Sequence, residues 1–435
     1  MNYKKAYFIG IGGIGMSALA QYFKNQGIIV TGSDRDPSPK VHDVLGAHGI
    51  SVAVGHSPNN VPVDANLVVY SDAVVEGSEG YVERLRAREL KIREKSYFEM
   101  LGEVSADKRT IAVAGTHGKT TTTGMLVKIL SDAGASPTGI IGSIVKDFGS
   151  NYLSGTSDIF VIEACEYKDH LLELSPKVLV LTNLEWDHTD YFPSLAALQE
   201  TFQKAIKKVP ADGAIVTDPH NPNIAPLLTS AKANIIDYTE MGRSDLPKYK
   251  LRLPGEFNQS NARAAAAAAR VAYPSITDDE TRSSLAAFQG TWRRFEYKGK
   301  TVKGADVYDD YAHHPTAVRV TLKALRAQTK GRLFVAFHPH LYSRTRDLLD
   351  EFAVAFTDAD EVLVAPIYAA REVDDGTISS ALLAERIAGN GTRARAATFT
   401  EIEKALATEP GQEDVIMTMG AGDIYKVADV LVVHP

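Results

Sequence analysis

One stretch restricts the fold of this chain more than any other. It reads RTIAVAGTHGKTTTTG from Arg109 to Gly124, an apolar run followed by a loop with two glycines and a lysine. Buried parallel strands read as continuous apolar runs. A glycine-rich loop between such a strand and a helix is typical of phosphate-binding α/β domains. We therefore predict a strand over 110–114, a phosphate-binding loop and a helix over 120–132.

The loop departs from the common P-loop pattern, which places a glycine five residues before the G-K-T tripeptide. Val113 stands at that position, and the nearest upstream glycine is Gly115. Gly115 and Gly118 would still let backbone N–H groups face an anion. Lys119 would bring a mobile positive charge to the phosphates, and Thr120 a hydroxyl for Mg²⁺. A capped helix with an exposed lysine is the alternative.

Two further segments repeat the strand–turn–helix order. KKAYFIGIGGIGMSALA begins the chain with a glycine turn, and GADVYDDYAHHPTAVRV starts another unit at Gly304. With 435 residues, the chain is long enough for about three domains. We predict an α/β protein with an N-terminal Rossmann-like domain (1–100), a central P-loop-type ATPase domain (101–296) and a C-terminal Rossmann-like domain (297–435).

Composition excludes several classes of protein. A net charge of -7 argues against nucleic-acid binding, and the sequence lacks an apolar run of the ~20 residues that a membrane-spanning helix needs. The N-terminal lysines and apolar run imitate a secretory signal, but the glycines within that run favour a turn. Cys165 is the single cysteine, which fits a reducing compartment. We expect a cytoplasmic protein that acts on small molecules.

Carboxylates and histidines follow the predicted strands, and ligands bind at the carboxyl ends of strands in open α/β sheets. Glu163 ends the strand DIFVIEA, and either it or Glu166 would suit Mg²⁺. His188, after the next strand, is a second metal candidate or a loop cap, and would bind Mn²⁺ more readily than Mg²⁺. Zinc bound by the HH and HPH histidines is not expected, because no thiolate lies nearby.

The first glycine turn has two interpretations. Its G-x-G-x-x-G pattern, from Gly10 to Gly15, is common in NAD- and FAD-binding domains, and Asp34 lies near the position expected for a ribose-binding acid. A second nucleotide site in the same chain does not suit a simple dehydrogenase. The turn would then hold the diphosphate of a nucleotide-linked substrate.

Taken together, the motifs resemble those of the Mur ligases, ATP-dependent ligases of peptidoglycan synthesis. The resemblance covers nearly the whole chain and rests on segments that occur in the family's order: FIGIGGIGMSALA, GTHGKTTTT, NLEWDHTDYF, RRFE, DDYAHHPT, HPHLYSRT, PIYAAREV and MGAGDIY. The chain departs from the family in three places. It reads EACEYKD where relatives usually read EADESD, and it has Phe257 where relatives commonly have histidine and Leu341 where some relatives have a second arginine.

The resemblance implies roles for matching residues. UDP-sugar contacts would come from Gly12, Gly15, Ser17, Asp34 and Ser71. ATP contacts would come from the loop residues Ala114, Gly115, Thr116, His117, Gly118, Lys119, Thr120 and Thr121, and from Asn258, Asn261, Arg294 and Asp310. Metal ligands would be Thr120, Glu163 and His188. The amino-acid site would contain Tyr311, His313, His340 and Arg344. Catalysis would depend on Lys119, Glu163, His188, His313 and Arg344.

The resemblance also implies a reaction, the joining of free L-alanine to UDP-N-acetylmuramate through an acyl phosphate, with ATP and Mg²⁺. The turn sequence GIGGIGMS favours this acceptor. A family ligase that attaches a ready-made peptide during recycling is the first alternative. A nucleotide-binding regulatory protein that has lost ligation and a NAD-dependent oxidoreductase are the others.

Overall fold

A computed structural model describes residues 3–239, 248–370 and 372–433. The chain forms two compact units. The first comprises Met1–Leu184, Gln199–Lys250 and Asn261–Gln289, and the second Glu185–Leu198, Leu251–Ser260 and Gly290–Pro435. The predicted domain limits at residues 100 and 297 stay predictions.

The N-terminal part of the first unit is a parallel sheet in the order β3-β2-β1-β4-β5. Its strands are β1 Lys5–Ile9, β2 Ile29–Asp34, β3 Ser51–Val54, β4 Leu67–Tyr70 and β5 Glu94–Ser96. Its helices are α1 Ile14–Asn25, α2 Pro39–Ala47, α3 Tyr81–Glu89 and α4 Tyr97–Ser105. Strand order reverses beside β1, so the glycine turn after β1 lies where open sheets bind ligands.

The second sheet of this unit has the order β12-β11-β10-β6-β9-β7-β8, with only the β7–β8 pair antiparallel. The strands are β6 Arg109–Ala114, β7 Thr138–Val145, β8 Ser150–Leu153, β9 Ile159–Glu163, β10 Val178–Leu181, β11 Ala214–Thr217 and β12 Asn234–Asp237. The helices of this part of the sequence are α5 Lys119–Asp132, α6 Leu195–Lys208, α7 Ala225–Leu228, α8 Glu256–Ala272 and α9 Asp278–Ala287. The predicted strand, loop and helix around Lys119 are confirmed, and the loop between β6 and α5 is called the lysine loop below. Strand β9 pairs with β6.

The third sheet, in the second unit, has the order β13-β14-β18-β15-β16-β17 and is parallel except for β13. Its strands are β13 Glu296–Lys300, β14 Asp306–Asp310, β15 Leu333–Phe337, β16 Glu361–Val364, β17 Arg393–Ala396 and β18 Val415–Met419. Its helices are α10 Pro315–Arg326, α11 Tyr342–Asp347, α12 Leu349–Ala355, α13 Ser380–Gly389, α14 Phe399–Thr408 and α15 Tyr425–Leu431. Apolar clusters cover both faces. The α/β fold with three sheets is confirmed.

Helix α1 joins the first two sheets through buried polar contacts. The Gln21 side chain donates to Asn151 Oδ1 at 2.9 Å and accepts from Ser150 Oγ at 2.8 Å. Asn151 Nδ2 in turn donates to Ser17 Oγ at 2.9 Å. Because these groups are buried and mutually satisfied, they fix the register of α1 on the β7–β8 hairpin.

Short 3₁₀ helices cover Pro58–Asn60 and Tyr167–Glu173. The alanine run of α8, Ala264 to Ala269, is at most 3% exposed. This confirms the interpretation of the run as a close-packed helix face.

Candidate active site

The loop between β6 and α5 has the backbone of a phosphate cradle. Gly115 has a φ of 125° and Gly118 a φ of 81°, a region that side chains disfavour. A Cβ on Gly118 would lie 2.3 Å from Asn261 Oδ1. The Asn183 side chain braces the loop, since its Oδ1 accepts from His117 N at 2.8 Å and its Nδ2 donates to His117 O at 2.9 Å. The loop is therefore rigid before any ligand arrives.

Lys119, the first residue of α5, occupies this loop. Its Nζ lies 3.0 Å from Glu166 Oε1 and also donates to the carbonyls of Gly115 and Thr116. Burial would lower the pKa of Lys119, but Glu166 raises it above its usual value. The ammonium group is therefore charged and available to exchange carbonyl contacts for phosphate.

Thr120 and Glu163, two of the predicted metal ligands, lie together. Thr120 Oγ1 donates to Glu163 Oε1 at 2.9 Å, while Glu163 Oε2 accepts from Gly142 N at 2.7 Å. A Cβ on Gly142 would lie 2.4 Å from Glu163, so this glycine makes room for the carboxylate. A hydroxyl and a fixed carboxylate are hard oxygen donors that suit Mg²⁺. His188, the third predicted ligand, belongs to the second unit.

The remaining loop residues lie where the sequence places them. Ala114 ends β6, and Thr116, Thr120 and Thr121 are buried. Asn261 Oδ1 accepts from Thr122 Oγ1 at 3.3 Å, which sets it beside this loop. Asn258 lies one helical turn earlier on α8, and its Nδ2 donates to Pro254 O at 2.7 Å. Their adenine role stays a prediction.

The first glycine turn is organised around Asp34. Asp34 Oδ2 accepts from Gly12 N at 2.9 Å, and a Cβ on Gly12 would lie 2.8 Å from the same carboxylate. Ser71 packs against Gly10, whose Cβ would lie 2.9 Å from Ser71 Cβ. These residues share one edge of the first sheet. Ser17, in contrast, is fully buried, and its hydroxyl donates to Ile14 O, so its predicted substrate contact stays a prediction.

In the second unit, Arg344 is 1% exposed and lies at the centre of a charged cluster. Its Nε donates to Asp187 Oδ1 at 2.7 Å, and its Nη1 to His340 Nδ1 at 3.0 Å. Burial alone would raise the pKa of Asp187, but Arg344, helped by His188, holds it well below its usual range. No described residue accepts a hydrogen bond from Nη2 of this guanidinium. Arg344 is thus held from one side and keeps a donor on the other.

His313 lies in the same cluster, with its ring 5.8 Å from that of His340. Its Nδ1 faces Tyr311 O at 2.9 Å and therefore carries the proton, which leaves Nε2 as an acceptor. Burial, together with the charge of Arg344, lowers the pKa of His313 well below its usual range. His313 is a neutral hydrogen-bonding group at pH 7 and a weak base.

The two adjacent arginines of RRFE have different environments. Arg293 is buried: its Nε contacts Asp309 Oδ2 at 2.9 Å, and its Nη1 and Nη2 donate to the carbonyls of Gly422 and Gly420. The guanidinium of Arg294 lies over the Tyr311 ring, 4.7 Å from its centroid. Arg293 therefore ties together three of the segments quoted above, whereas Arg294 packs on the Tyr311 ring.

Asp310, the predicted ribose contact, ends β14. Its carboxylate accepts from Phe295 N at 2.6 Å and from Ala312 N at 2.7 Å. Burial raises its pKa to about 6, against the lowering effects of Arg294 and of these two N–H groups. The group is largely ionised at pH 7 and changes its charge close to physiological pH.

Backbone strain coincides with the motifs. Of the ten described non-glycine residues with positive φ, seven lie in the segments quoted above: Lys168, Asp169, His188, Arg293, Phe295, Leu341 and Ala370. Such conformations cost about 1–3 kcal/mol each and cluster at functional sites. Leu341 (φ 71°) is the departure from the family pattern noted above, and its N–H donates to Tyr368 O at 2.9 Å.

Three residues escaped the sequence prediction. Asp187 is adjacent to the predicted His188, and only its pairing with Arg344 reveals its role. Arg293 cannot be distinguished from Arg294 by sequence. Glu83, inside the charged run ERLRARE, reads as a solvated helix face, yet it is fully buried. The one available signal in the sequence is that Glu83 occupies a position of the helix that faces the core.

Comparison with known proteins adds independent evidence. Three family models match in order: "Mur ligase family, catalytic domain" over residues 5–109, "Mur ligase middle domain" over 113–246, and "Mur ligase, glutamate ligase domain" over 293–422. A curated relative, UDP-N-acetylmuramate–L-alanine ligase of Clostridium acetobutylicum, is 36% identical over 98% of this chain and 97% of its own length. The chain belongs to the Mur ligase family.

Solved structures of Mur ligases agree in fold. The UDP-N-acetylmuramate-alanine ligase of Thermotoga maritima aligns with a TM-score of 0.81 and 27% identity, over 99% of this chain and 98% of its own. A murein peptide ligase of Psychrobacter arcticus gives a TM-score of 0.74 at 24% identity over 98% of both chains, which supports the fold alone. This chain is thus an enzyme of the ligase class.

Across the described residues, none of the helices combines the length and the apolar character that crossing a bilayer requires.

Proposed function

We propose that this Mur ligase joins L-alanine to the lactyl carboxylate of UDP-N-acetylmuramate, with ATP converted to ADP and phosphate. The observation that carries the proposal is the rigid lysine loop with its Thr120–Glu163 pair, in a chain that is 36% identical over almost its full length to a ligase of that name. The reaction belongs to peptidoglycan precursor synthesis. It requires ATP and a UDP-sugar, and we place it in the cytoplasm.

Lys119 is the residue that we assign to the transferred phosphoryl group. Its contacts with the Gly115 and Thr116 carbonyls hold the ammonium group within the loop, ready to face an anion. Phosphoryl transfer needs mostly positioning and charge neutralisation. Thr120 and Glu163 would hold Mg²⁺, which would supply further positive charge to the phosphates.

The first glycine turn is the proposed site of the UDP moiety. Asp34 is held by Gly12 N and by Asp36 N, so its carboxylate has a fixed direction. An acid in this position of a Rossmann-type unit accepts hydrogen bonds from ribose hydroxyls. Ser71, next to Gly10 at the end of β4, completes this edge.

The acceptor would bind in the second unit. The guanidinium of Arg344 has Nη2 available for the amino acid's carboxylate, while Asp187 and His340 fix its orientation. Tyr311 and His313 lie close to one another, with ring centroids 5.4 Å apart, and would restrict the room for the side chain. In the same unit, Arg294 and Asp310 stay assigned to ATP, and His188 to metal binding.

Each step balances. A carboxylate oxygen of UDP-N-acetylmuramate attacks the γ-phosphorus, the bond to the β–γ bridging oxygen breaks, and ADP leaves. The resulting acyl phosphate has phosphate as its leaving group in place of oxide. The neutral amine of alanine attacks the acyl carbon, one N–H proton passes to solvent water, and phosphate departs with one oxygen of the original carboxylate. His313 Nε2 can accept a hydrogen bond from the amine, although its low pKa makes it a weak proton acceptor.

The recycling ligase remains the second candidate, favoured by the likeness of this chain to solved peptide-adding ligases. The test is phosphate release with UDP-N-acetylmuramate, ATP, Mg²⁺ and either L-alanine or L-Ala-D-Glu-diaminopimelate. We expect alanine to be preferred, with serine and glycine used weakly, because one methylene is worth only ~1–3 kcal/mol in a pocket. Preference for the tripeptide would overturn the assignment.

A further inference from the structure

Tyr97 lies directly beside the first glycine turn, although no motif contains it. It is the first residue of α4, whose N-terminus is capped by Ser96. A Cβ built on Gly15 would lie 2.5 Å from Tyr97 Oη and 2.6 Å from Cζ. The φ of Gly15 is not in the left-handed region, so this close approach, rather than the backbone, explains the glycine.

The same phenol is also close to the lysine-loop side of the unit. Burial raises the pKa of Tyr97, and the charge of Glu163 at the end of β9 raises it further. The hydroxyl is therefore protonated at any physiological pH and acts as a hydrogen-bond donor. Tyr97 thus lies against the turn assigned to the sugar nucleotide, and its pKa responds to the charge of the carboxylate assigned to the metal.

Neighbouring contacts fix the position of this ring. Phe98 stacks on His170 with ring centroids 3.6 Å apart and an interplanar angle of 11°. His170 Nε2 lies 2.7 Å from Asp72 Oδ2, in the loop after β4. The Tyr97 and Phe98 rings contact each other edge to face, with centroids 4.8 Å apart. A ring held in this way loses little further freedom on binding a ligand.

The hydroxyl itself makes no hydrogen bond with any described residue. The side chain is only partly buried. A donor that is fixed in place and lacks a protein partner is satisfied by water or by a ligand. The ligand that the proposed function brings to this edge of the sheet is anionic at its diphosphate and at its lactyl carboxylate.

We propose that Tyr97 is a substrate-binding residue whose hydroxyl donates a hydrogen bond to an anionic oxygen of the sugar nucleotide. The inference rests on the proposed function for the identity of this ligand. It adds a residue outside the family motifs, and it gives Gly15 a specific purpose, which is to admit the phenol next to the bound anion.

The test is Tyr97→Phe, which keeps the ring and removes only the donor. Hydrogen bonds to charged groups contribute about 1.5–3 kcal/mol, so the Kd for UDP-N-acetylmuramate should rise about 10- to 100-fold in calorimetric titration without ATP or alanine. The KM for UDP-N-acetylmuramate should rise in parallel. The KM values for ATP and alanine and the midpoint of thermal unfolding should stay at wild-type values, which a merely structural role would not predict.

Tyr22→Phe is the matched control. Tyr22 also lies at the boundary between the two sheets, packed against Tyr152 and Phe160, but about 10 Å further along α1 than Gly15. Removing its hydroxyl should leave the Kd for the sugar nucleotide unchanged.

Titration with UDP-N-acetylglucosamine, which lacks the lactyl group, shows whether the Tyr97 hydroxyl binds the diphosphate or the lactyl carboxylate. Equal weakening for both ligands in Tyr97→Phe assigns the bond to the diphosphate, and weakening for UDP-N-acetylmuramate alone assigns it to the carboxylate. An unchanged Kd for both ligands overturns the inference but leaves the proposed ligation intact. Tight binding by the wild type without any ligation to alanine would overturn the proposed function alone, and a wild type that binds neither nucleotide would overturn both.

Discussion

The two glycine turns of the first unit are alike in sequence and differ in why they need glycine. In the lysine loop, Gly115 and Gly118 adopt positive φ, so the backbone itself requires them. In the first turn, Gly12 and Gly15 do not, and neighbouring side chains fill the space where a Cβ would be. Gly10 of the first turn also has a positive φ, of 80°, so the contrast concerns Gly12 and Gly15, which leave room for Asp34 and Tyr97.

The turns also differ in charge. The lysine loop holds an ammonium group paired with the buried Glu166, whereas the first turn holds a carboxylate on Gly12 N. A mobile cation suits the phosphates of ATP, and a fixed carboxylate suits the hydroxyls of a ribose. The same strand–turn–helix pattern therefore presents two different chemistries, a cation in one loop and a carboxylate in the other, to the two nucleotides of the proposed reaction.

The largest expected effect is that of Lys119→Met, which removes the cation from the lysine loop. We expect kcat to fall about 1000-fold, the upper range for loss of one charge-stabilising donor. Lys128→Met is the matched control on the same helix, since Lys128 pairs with Asp132 and Asp147 away from the loop. Phosphate release at a near wild-type rate in Lys119→Met would contradict the account.

Lys119→Met should also lower the free energy of unfolding, because it removes the ammonium group that pairs with the buried Glu166 carboxylate. The double variant Lys119→Met/Glu166→Gln should regain stability without regaining activity. Thermal unfolding of the three proteins separates the structural effect from the catalytic one.

Alanine substitutions in the two turns should affect different substrates. Gly118→Ala forces a strained φ and a clash with Asn261, so the KM for ATP should rise about tenfold or more, as expected from ~1–2 kcal/mol of strain. Gly12→Ala displaces Asp34 and should raise the KM for UDP-N-acetylmuramate instead. If both variants raised the same KM, the assignment of ATP to the lysine loop and of UDP-N-acetylmuramate to the first turn would be wrong.

The pH dependence of ATP use offers a smaller effect. Burial raises the pKa of Asp310 to about 6, so the carboxylate that would accept from the ribose becomes protonated below that pH. The KM for ATP should rise about tenfold at pH 5, while that for the sugar nucleotide changes less. Asp310→Asn should flatten this profile, and an unchanged profile in the variant would argue against the ribose role.

The same raised pKa has a defined effect on folding. Because the folded chain holds this proton more tightly than the unfolded chain, the contribution of Asp310 to stability is complete below its unfolded pKa of about 3.9 and is lost as pH rises through about 6. The free energy of unfolding should therefore be measured between pH 4 and pH 8 for both proteins. As pH rises, we expect that of Asp310→Asn to increase relative to that of the wild type.

The smallest effect on catalysis is expected from Glu83→Gln. Glu83 accepts from Tyr7 Oη, Ser57 N and Asn60 Nδ2 at 2.9 to 3.1 Å, and so ties the loop after β3 to the first sheet. We expect a loss of about 1–3 kcal/mol of stability with kcat nearly unchanged. Glu89→Gln, exposed on the same helix, is the control and should be neutral.

Much of the fold could be predicted from the sequence because each parallel strand is a continuous apolar run that ends in a distinctive tip. The strand, loop and helix around Lys119 follow from local pattern, as do the three sheets. The Thr120–Glu163 contact follows from the pairing of β9 with β6. The role of a side chain whose partner is distant in the sequence could not be predicted from local sequence pattern.

Arg293 and Arg294 illustrate the limit. They are adjacent in sequence, yet one is buried among backbone carbonyls of the MGAGD loop and the other lies over Tyr311. Their difference arises from contacts with residues over 100 positions away, which no local pattern encodes. Tyr97 is similar, because only the folded chain shows that it fills the space left by Gly15.

The most direct test of the central claim, ligation through an acyl phosphate, follows one oxygen atom. UDP-N-acetylmuramate labelled with ¹⁸O in its lactyl carboxylate is incubated with ATP, Mg²⁺, alanine and the enzyme, and the released phosphate is examined by mass spectrometry. The account predicts one ¹⁸O atom in each phosphate released, because the carboxylate oxygen attacks phosphorus and leaves with it. Unlabelled phosphate, the product of ATP hydrolysis by water, would contradict the account.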